Sequence, residues 1–531
     1  MKKQKNRSIV IGKSIILLCT LSLLSGCTQI PFPTQSTKEN EQKEARGQVQ
    51  DTNYEVPSSI PNVLVDQVGY EMKSTKIAIF RGENLESTFE VIDAENGETV
   101  YTGEIIPQGK NTELGEFTSY GAFTQLEKNG TYYIQTAIIG QSYPFIIGDN
   151  LYDELLPQMS KNIYYDRCGV EITADYAESP YLHKDCHAGP GIFTTEDGKK
   201  EELDISGGWH TGNTYSRDVA EGCTIVENLL LSYEFYPEEL NDDSGIPESQ
   251  NKIPDILDEI KYEIDWLLKM QNAKTGGVYG GIIDNADSTQ TMADEDRTEQ
   301  LVSEVSAEAT ASFAGVMAQF SMDYQNYDTM FAKQCLAAAE KAWKYLQQND
   351  LEFSQAQYFA AAQLFKATSN KNYHQFVKAY ANTTSENAFD ENKELYGDIA
   401  YLTTTQKVET QLCRQLMDKW MDKAEAIVDE SKENPYYVTG DTNEEMLNDM
   451  LCLAVIDHVI TNHEYVTVLE SHLHYLLGRN SKGTSYIEGL GVVHPSVTDA
   501  QTEVTKQPQL TSTLLFMLGE IITEDTREFG E

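Results

Sequence analysis

Positive charge is what this chain of 531 residues has least of: 40 lysines and arginines stand against 84 aspartates and glutamates, a net of −44. A surface of that sign repels a phosphate backbone at every approach, which excludes nucleic acid as a partner. It suits a solvated protein that acts on a neutral polymer. Tryptophan is scarce at four, and the loop 281–302 has no aromatic at all, so a platform for a long flat polymer is poor on that side. The apolar run that stands out, IILLCTLSLLSG, is too short and too closely followed by polar chain to be a stable membrane span.

That run has Lys2, Lys3, Lys5 and Arg7 before it and Cys27 after it, the layout of a secretory signal. Leu24-Ser25-Gly26-Cys27 resembles the bacterial lipobox, which implies lipidation of Cys27 and a protein anchored on the extracellular face of the cell membrane. An ordinary cleaved signal with an incidental cysteine is the other reading. From Thr28 to about Ser58 the chain is Gln, Thr, Ser, Glu and Lys without apolar periodicity, a flexible tether.

From Pro61 to Gly148 short runs such as TKIAIF, TFEVIDA, ETVYTGEII and GTYYIQTAII alternate with turn residues, the pattern of a small β-sandwich. After Leu151 the period changes to that of helices. IPDILDEIKYEIDWLLKMQ puts Ile256, Leu257, Ile260, Ile264, Leu267 and Leu268 on one face. About eleven such segments and no convincing strands predict a ring of helical hairpins, with a cleft where the loops gather. Trp266, Trp343 and Trp420 lie on amphipathic helices and read as core. Cys223, Cys335, Cys413 and Cys452 read as small buried hydrophobes.

Several stretches in order resemble family-9 glycoside hydrolases: VDQVGY at 65–70, SYPFIIGD at 142–149, YYDRCGVE at 164–171, DISGGWH at 204–210, the 253–271 helix, VSAEATASFAGVMAQ at 305–319 and HLHYLLGRNSKGTSYIEGLG at 472–491. The resemblance implies a multidomain chain: signal 1–27, linker 28–60, an immunoglobulin-like β-sandwich at 61–149, and an all-α (α/α)6 barrel at 150–531. It also implies inverting, cellulase-like hydrolysis of β-1,4-glucosidic bonds in a glucan or related oligosaccharide.

Inversion needs two carboxyl groups about 6.5–9.5 Å apart, one to activate water and one to protonate the leaving oxygen. The family takes its base from an Asp-Ala-Gly-Asp segment after Gly-Gly-Trp-His; here both aspartates align with Thr211 and Thr214. A threonine hydroxyl can orient water but cannot serve as a general base near neutral pH. Asp218, four residues on, is the candidate substitute, or else a first-turn helix acid favoured by the dipole. Thr502-Glu503-Val504 resembles the family's acid segment and nominates Glu503, with Thr505 at that position in a gapless alignment. Trp209, Tyr279 and His494, with Thr211 and Thr214, are the expected sugar contacts.

Cys168, Cys186, His187 and His210, spaced C-x17-CH-x22-H, make the ligand set of a structural zinc site, at positions that match zinc sites in some bacterial family members. His183 is a spare ligand. A Cys168–Cys186 disulfide and four unrelated buried residues are the competing readings. Two functions stay open: a lipid-anchored glycoside hydrolase, or a catalytically impaired glycan-binding surface lipoprotein that keeps the fold.

Overall fold

The computed structural model describes residues 59–526 apart from 113, 196–197, 213, 285, 287–290, 350–354, 382–390 and 494–503. The N-terminal part builds two facing sheets. One has the order β1-β3-β7-β6, from Val63–Leu64, Ile77–Arg81, Glu116–Ala122 and Ile106–Asn111. The other has the order β2-β9-β8-β4-β5, from Gly69–Glu71, Phe145–Gly148, Gly130–Gln135, Thr88–Asp93 and Thr99–Glu104. Along β4 the exposed Thr88 and Glu90 alternate with the buried Phe89 and Val91, so one face meets water and the other meets Phe80, Tyr132 and Phe145 in the core. Fully burying each such side chain contributes roughly 1.5–3 kcal/mol. Strand β7 carries no run of β-branched residues; its pairing with β3 on one side and β6 on the other makes it a strand.

Twelve α-helices follow among the described residues. They are α1 Leu155–Tyr165, α2 Val219–Phe235, α3 Asp255–Met270, α4 Ala307–Asp323, α5 Thr329–Gln348, α6 Gln355–Thr368, α7 Lys371–Ala381, α8 Glu391–Thr403, α9 Thr410–Glu433, α10 Asn443–Ile460, α11 His463–Leu476 and α12 Pro508–Thr526. The predicted apolar face of α3 is inside, with Ile256, Leu257, Ile260, Ile264 and Leu267 buried and Leu268 at its margin. The even-numbered helices pack in succession: α2 on α4, α4 on α6, α6 on α8, α8 on α10, α10 on α12, and α12 on α2. Helix α8 escaped the periodicity reading because its buried Leu395, Tyr396, Ile399 and Ala400 are interleaved with acids, a lysine and a glycine.

The expectation of an all-α second domain needs correction. Among the described residues seven short strands lie in it: β10 Gly191–Thr194, β11 Lys200–Leu203, β12 Arg217–Asp218, β13 Val278–Tyr279, β14 Gly281–Ile283, β15 Leu301–Val302 and β16 Val305–Ser306. Five of them form one sheet in the order β11-β10-β15-β14-β12. None exceeds four residues, and segments such as Lys-Glu-Glu-Leu show no alternation, so only the tertiary pairing reveals them.

The two parts are joined through polar groups. The side chain of Gln67 donates to Gly483 O at 2.9 Å and accepts from Val492 N and Val493 N, both at 2.9 Å. Gly478, at φ +122°, lies so close that a Cβ there would sit 2.4 Å from the Gln67 amide nitrogen. The segment 483–493 is thus held against the sandwich on its way to the last helix.

Candidate active site

The DISGGWH segment forms a floor under the N-terminal end of α2. Gly207 and Gly208 take positive φ, and a Cβ on Gly208 would lie 2.7 Å from the Trp266 ring, so only glycine lets the backbone pass. Trp209 follows, wholly buried. Its indole N–H donates to Glu259 Oε1 at 2.7 Å and its backbone N–H to Glu263 Oε2 at 2.8 Å. Glu259 is itself paired with Arg167 at 2.8 Å. The expected role of Trp209 as a sugar platform is therefore corrected: the ring is a structural element of the floor and no face of it is open.

Both threonines sit where the sequence put them, and they differ in what they touch. Thr214 Oγ1 donates to Ser216 Oγ at 2.9 Å, and Ser216 Oγ in turn donates to Asp284 O at 2.9 Å, so Thr214 is tied to a neighbouring loop. Thr211 Oγ1 accepts from Asp218 N at 3.1 Å, and its hydroxyl lowers the pKa of Glu221. Asp218, the nominated base, is the N-cap of α2: its Oδ1 accepts from Ala220 N at 2.8 Å and Glu221 N at 3.0 Å. That corrects the catalytic assignment, because the carboxylate is turned back onto its own helix.

Glu221, one turn further along, is exposed. Desolvation by its neighbours, with the like charges of Asp218 and Glu444, raises its pKa above the usual carboxylate value, while the Thr211 hydroxyl pulls the other way. A second carboxylate, Glu488, accepts a hydrogen bond from Tyr181 Oη, and its backbone N–H donates to Thr505 Oγ1 at 3.3 Å. Tyr181 lies flat on Tyr165, with ring centroids 4.1 Å apart. Tyr279 is half-exposed on β13; its hydroxyl accepts from Asn272 Nδ2 at 3.1 Å. It adjoins Gly280, whose carbonyl accepts from Val219 N at 3.0 Å. His494, Glu503 and the lipidation candidate Cys27 lie outside the described residues.

Beside the floor the four nominated ligands converge. Cys168, Cys186, His187 and His210 place their ligand atoms within 4.8 Å of one another. His187 Nδ1 is 3.5 Å from Cys168 Sγ and 3.4 Å from His210 Nε2, and the two sulfurs are 4.0 Å apart. Both cysteines are free thiols. The neighbouring Cys168 thiol and the two imidazoles hold the Cys186 thiol far below the usual thiol range, whereas burial pushes Cys168 up. His183 Nδ1 is engaged with Lys184 O at 2.7 Å, and His183 is no part of the group. This donor set fits a metal ion, since a tetrahedral site with metal–sulfur bonds of about 2.3 Å sets two sulfurs ~3.8 Å apart.

Residues 152–509 match the model of glycosyl hydrolase family 9, and residues 58–141 match the cellulase N-terminal ig-like domain. The chain belongs to glycosyl hydrolase family 9. Among curated relatives, a cellodextrinase of Butyrivibrio fibrisolvens is 29% identical over 474 residues, covering 81% of this chain and 85% of its own. Endoglucanase D of Acetivibrio thermocellus is 27% identical over 481 residues, covering 83% and 75%. A metagenome-derived family-9 endoglucanase structure superimposes with a TM-score of 0.78 at 23% identity, covering 87% of this chain and 98% of that one.

Sequence reasoning missed two carboxylates near the floor. Glu221 was not singled out, and only the effect of Thr211 on its pKa draws attention to it. Glu488 was inside a quoted stretch but had no partner until Tyr181 folded onto it. The four metal-ligand residues were legible because their types carry the chemistry by themselves.

Proposed function

We propose that this chain hydrolyses β-1,4-glucosidic bonds in glucans or related oligosaccharides by an inverting acid/base mechanism. The cleft lies at the end of a closed (α/α)6 barrel, a reading supported by the succession of even-numbered helices that returns from α12 to α2. One observation carries the catalytic reading: Thr211 is hydrogen-bonded to the cap of α2 at Asp218 N, and Glu221, whose N–H binds the Asp218 carboxylate, is the acid of that first turn whose pKa the Thr211 hydroxyl lowers. In this reading Glu221 removes the proton of the attacking water and Thr211 steers that water. Glu503 protonates the leaving oxygen, and Tyr279 and His494 contact the sugar. A base with a raised pKa is better matched to work near neutral pH than an ordinary carboxylate.

Cys168, Cys186, His187 and His210 would hold a structural zinc, which contributes folding energy by joining the end of α1, the 183–187 loop and the floor. Cys27 would carry the lipid that tethers the enzyme to the outer face of the cell membrane. The glycan-binding alternative is favoured by one fact, that neither floor threonine supplies a carboxylate of its own.

The reading is tested by incubating the purified protein with labelled cello-oligosaccharides and following the first product by proton NMR. Turnover that releases the α-anomer first, and that Glu503→Ala abolishes, is the expected result. Binding without turnover would establish the lectin-like alternative, and release of the β-anomer first would rule out inversion.

A further inference from the structure

The stretch between β14 and β15 contains no aromatic residue, yet two of its described residues, Asp284 and Asp296, face His187. His187 Nε2 lies 3.0 Å from Asp296 Oδ2 and 3.7 Å from Asp284 Oδ2, while its Nδ1 faces Cys168 and His210. An imidazole whose Nδ1 is to donate a lone pair to a metal must carry its proton on Nε2, and a carboxylate at 3.0 Å on that side fixes the tautomer and the ring orientation. Asp296 is itself locked. Its Oδ1 accepts from Thr298 N at 2.9 Å, and Thr298 Oγ1 lies 2.9 Å from Asp296 Oδ2 and 2.7 Å from Asp284 Oδ1.

The chain of contacts continues to the floor. Gln300 donates its amide to Asp284 Oδ2 and accepts at Oε1 from Arg217 Nη2 at 3.0 Å. The wholly buried Arg217 then donates through Nη1 to Ile205 O at 2.6 Å and Gly207 O at 2.7 Å. Its guanidinium thus clamps the backbone that delivers Trp209, His210 and Thr211. His187, Asp284 and Asp296 could also be read as a second cation site, since their ligand atoms converge within 4.8 Å. The geometry argues against it: both carboxylates already accept from Ala286 N, Thr298 N, the Thr298 hydroxyl and the Gln300 amide, and a cation would have to displace these donors.

We propose that Asp296 is the positioning residue that sets His187 for metal binding, and that Thr298, Asp284, Gln300 and Arg217 extend the same hydrogen-bonded chain to the catalytic floor. The inference rests on the metal reading of the Cys168, Cys186, His187 and His210 group and is independent of which carboxylate acts as base. Asp296→Ala removes the acceptor for the Nε2 proton; Asp296→Asn keeps the shape and loses the charge.

The test is zinc affinity of the purified full chain, read by competition with a chromophoric chelator, with Glu295→Gln as a surface control. Loss of a carboxylate behind a histidine ligand typically lowers metal affinity about 10–100-fold, and that is the loss expected for Asp296→Ala, with Asp296→Asn between it and the parent. In a His187→Ala background, Asp296→Ala should have no further effect, because its influence runs through that imidazole. Should Asp296→Ala fail to fold, the Asn variant and the double variant carry the test. Affinity within twofold of the parent for both Asp296 variants, equal losses with and without His187, or a parent chain that binds no zinc would each overturn the proposal. Cello-oligosaccharide turnover does not enter this readout, so its failure and that of the hydrolase reading are separately visible.

Discussion

Thr211 shows how much one side chain decides here. Its hydroxyl accepts from Asp218 N at the start of α2, the helix that carries Glu221, the acid proposed as base. The Thr211 hydroxyl lowers the Glu221 pKa against the upward pull of desolvation and neighbouring charge. Thr211→Val is therefore expected to raise the pKa further, and the acidic limb of the kcat/KM profile should move to higher pH, since a base works only when ionised. A second acid gives a stability prediction. Glu227, wholly buried in α2, is pushed up to about 8 by desolvation from an ordinary value of 4.5. The fold thus binds a proton that the unfolded chain releases. The contribution is fully present below pH 4.5 and is lost as the pH rises through 8. Glu227→Gln should gain in Tm relative to the parent steadily across that window and hold its advantage above it.

Sequence was a good guide to residues whose type alone carries chemistry, and Cys168, Cys186, His187 and His210 meet as their spacing suggested. It was a poor guide to residues whose role depends on a partner far along the chain. Trp209 looked like a sugar platform until Glu259 and Glu263, some fifty positions later, closed over it.

Among elements, α2 matters most, because the floor and the sheet both end at its N-terminus. Asp218 is its cap, and replacing a capping aspartate by alanine costs about 0.5–2 kcal/mol. Asp218→Ala should lose stability of that order in urea unfolding while kcat falls less than tenfold, and Asp218→Asn, a comparable cap, should keep both. A hundredfold loss of kcat in Asp218→Asn with stability unchanged would return Asp218 to the catalytic role. Long periodic helices such as α3 were readable because twelve or more residues repeat one pattern. The strands β10–β16 were not: each spans two to four residues, and pairing across the fold makes them strands. Helix α8 was hidden because Lys393, Gly397 and Asp398 are buried together with its apolar residues, which breaks the apolar period.

At the scale of the whole molecule, the sandwich is part of the hydrolase domain's construction. Gln67 satisfies one carbonyl and two N–H groups in the segment 483–493. Removing one side of a buried hydrogen bond costs roughly 1–3 kcal/mol for the group left unpaired. Gln67→Ala should therefore lower stability by at least that amount and loosen residues 483–493, seen as faster amide exchange at Val492 and Val493, with the sandwich core unaffected. The order of a β-sandwich followed by a helical domain was legible in the chain, since each uses one repeating period. The way they lock together was not, because Gln67 and Gly483 are 416 positions apart.

The measurement that bears most directly on the account is turnover of cello-oligosaccharides by Glu221→Ala, with and without added azide. Loss of a general base should lower kcat about 10²–10⁴-fold, and azide, which needs no base to attack, should restore it and yield a glycosyl azide. Turnover by Glu221→Ala at the parent rate would contradict the assignment of Glu221.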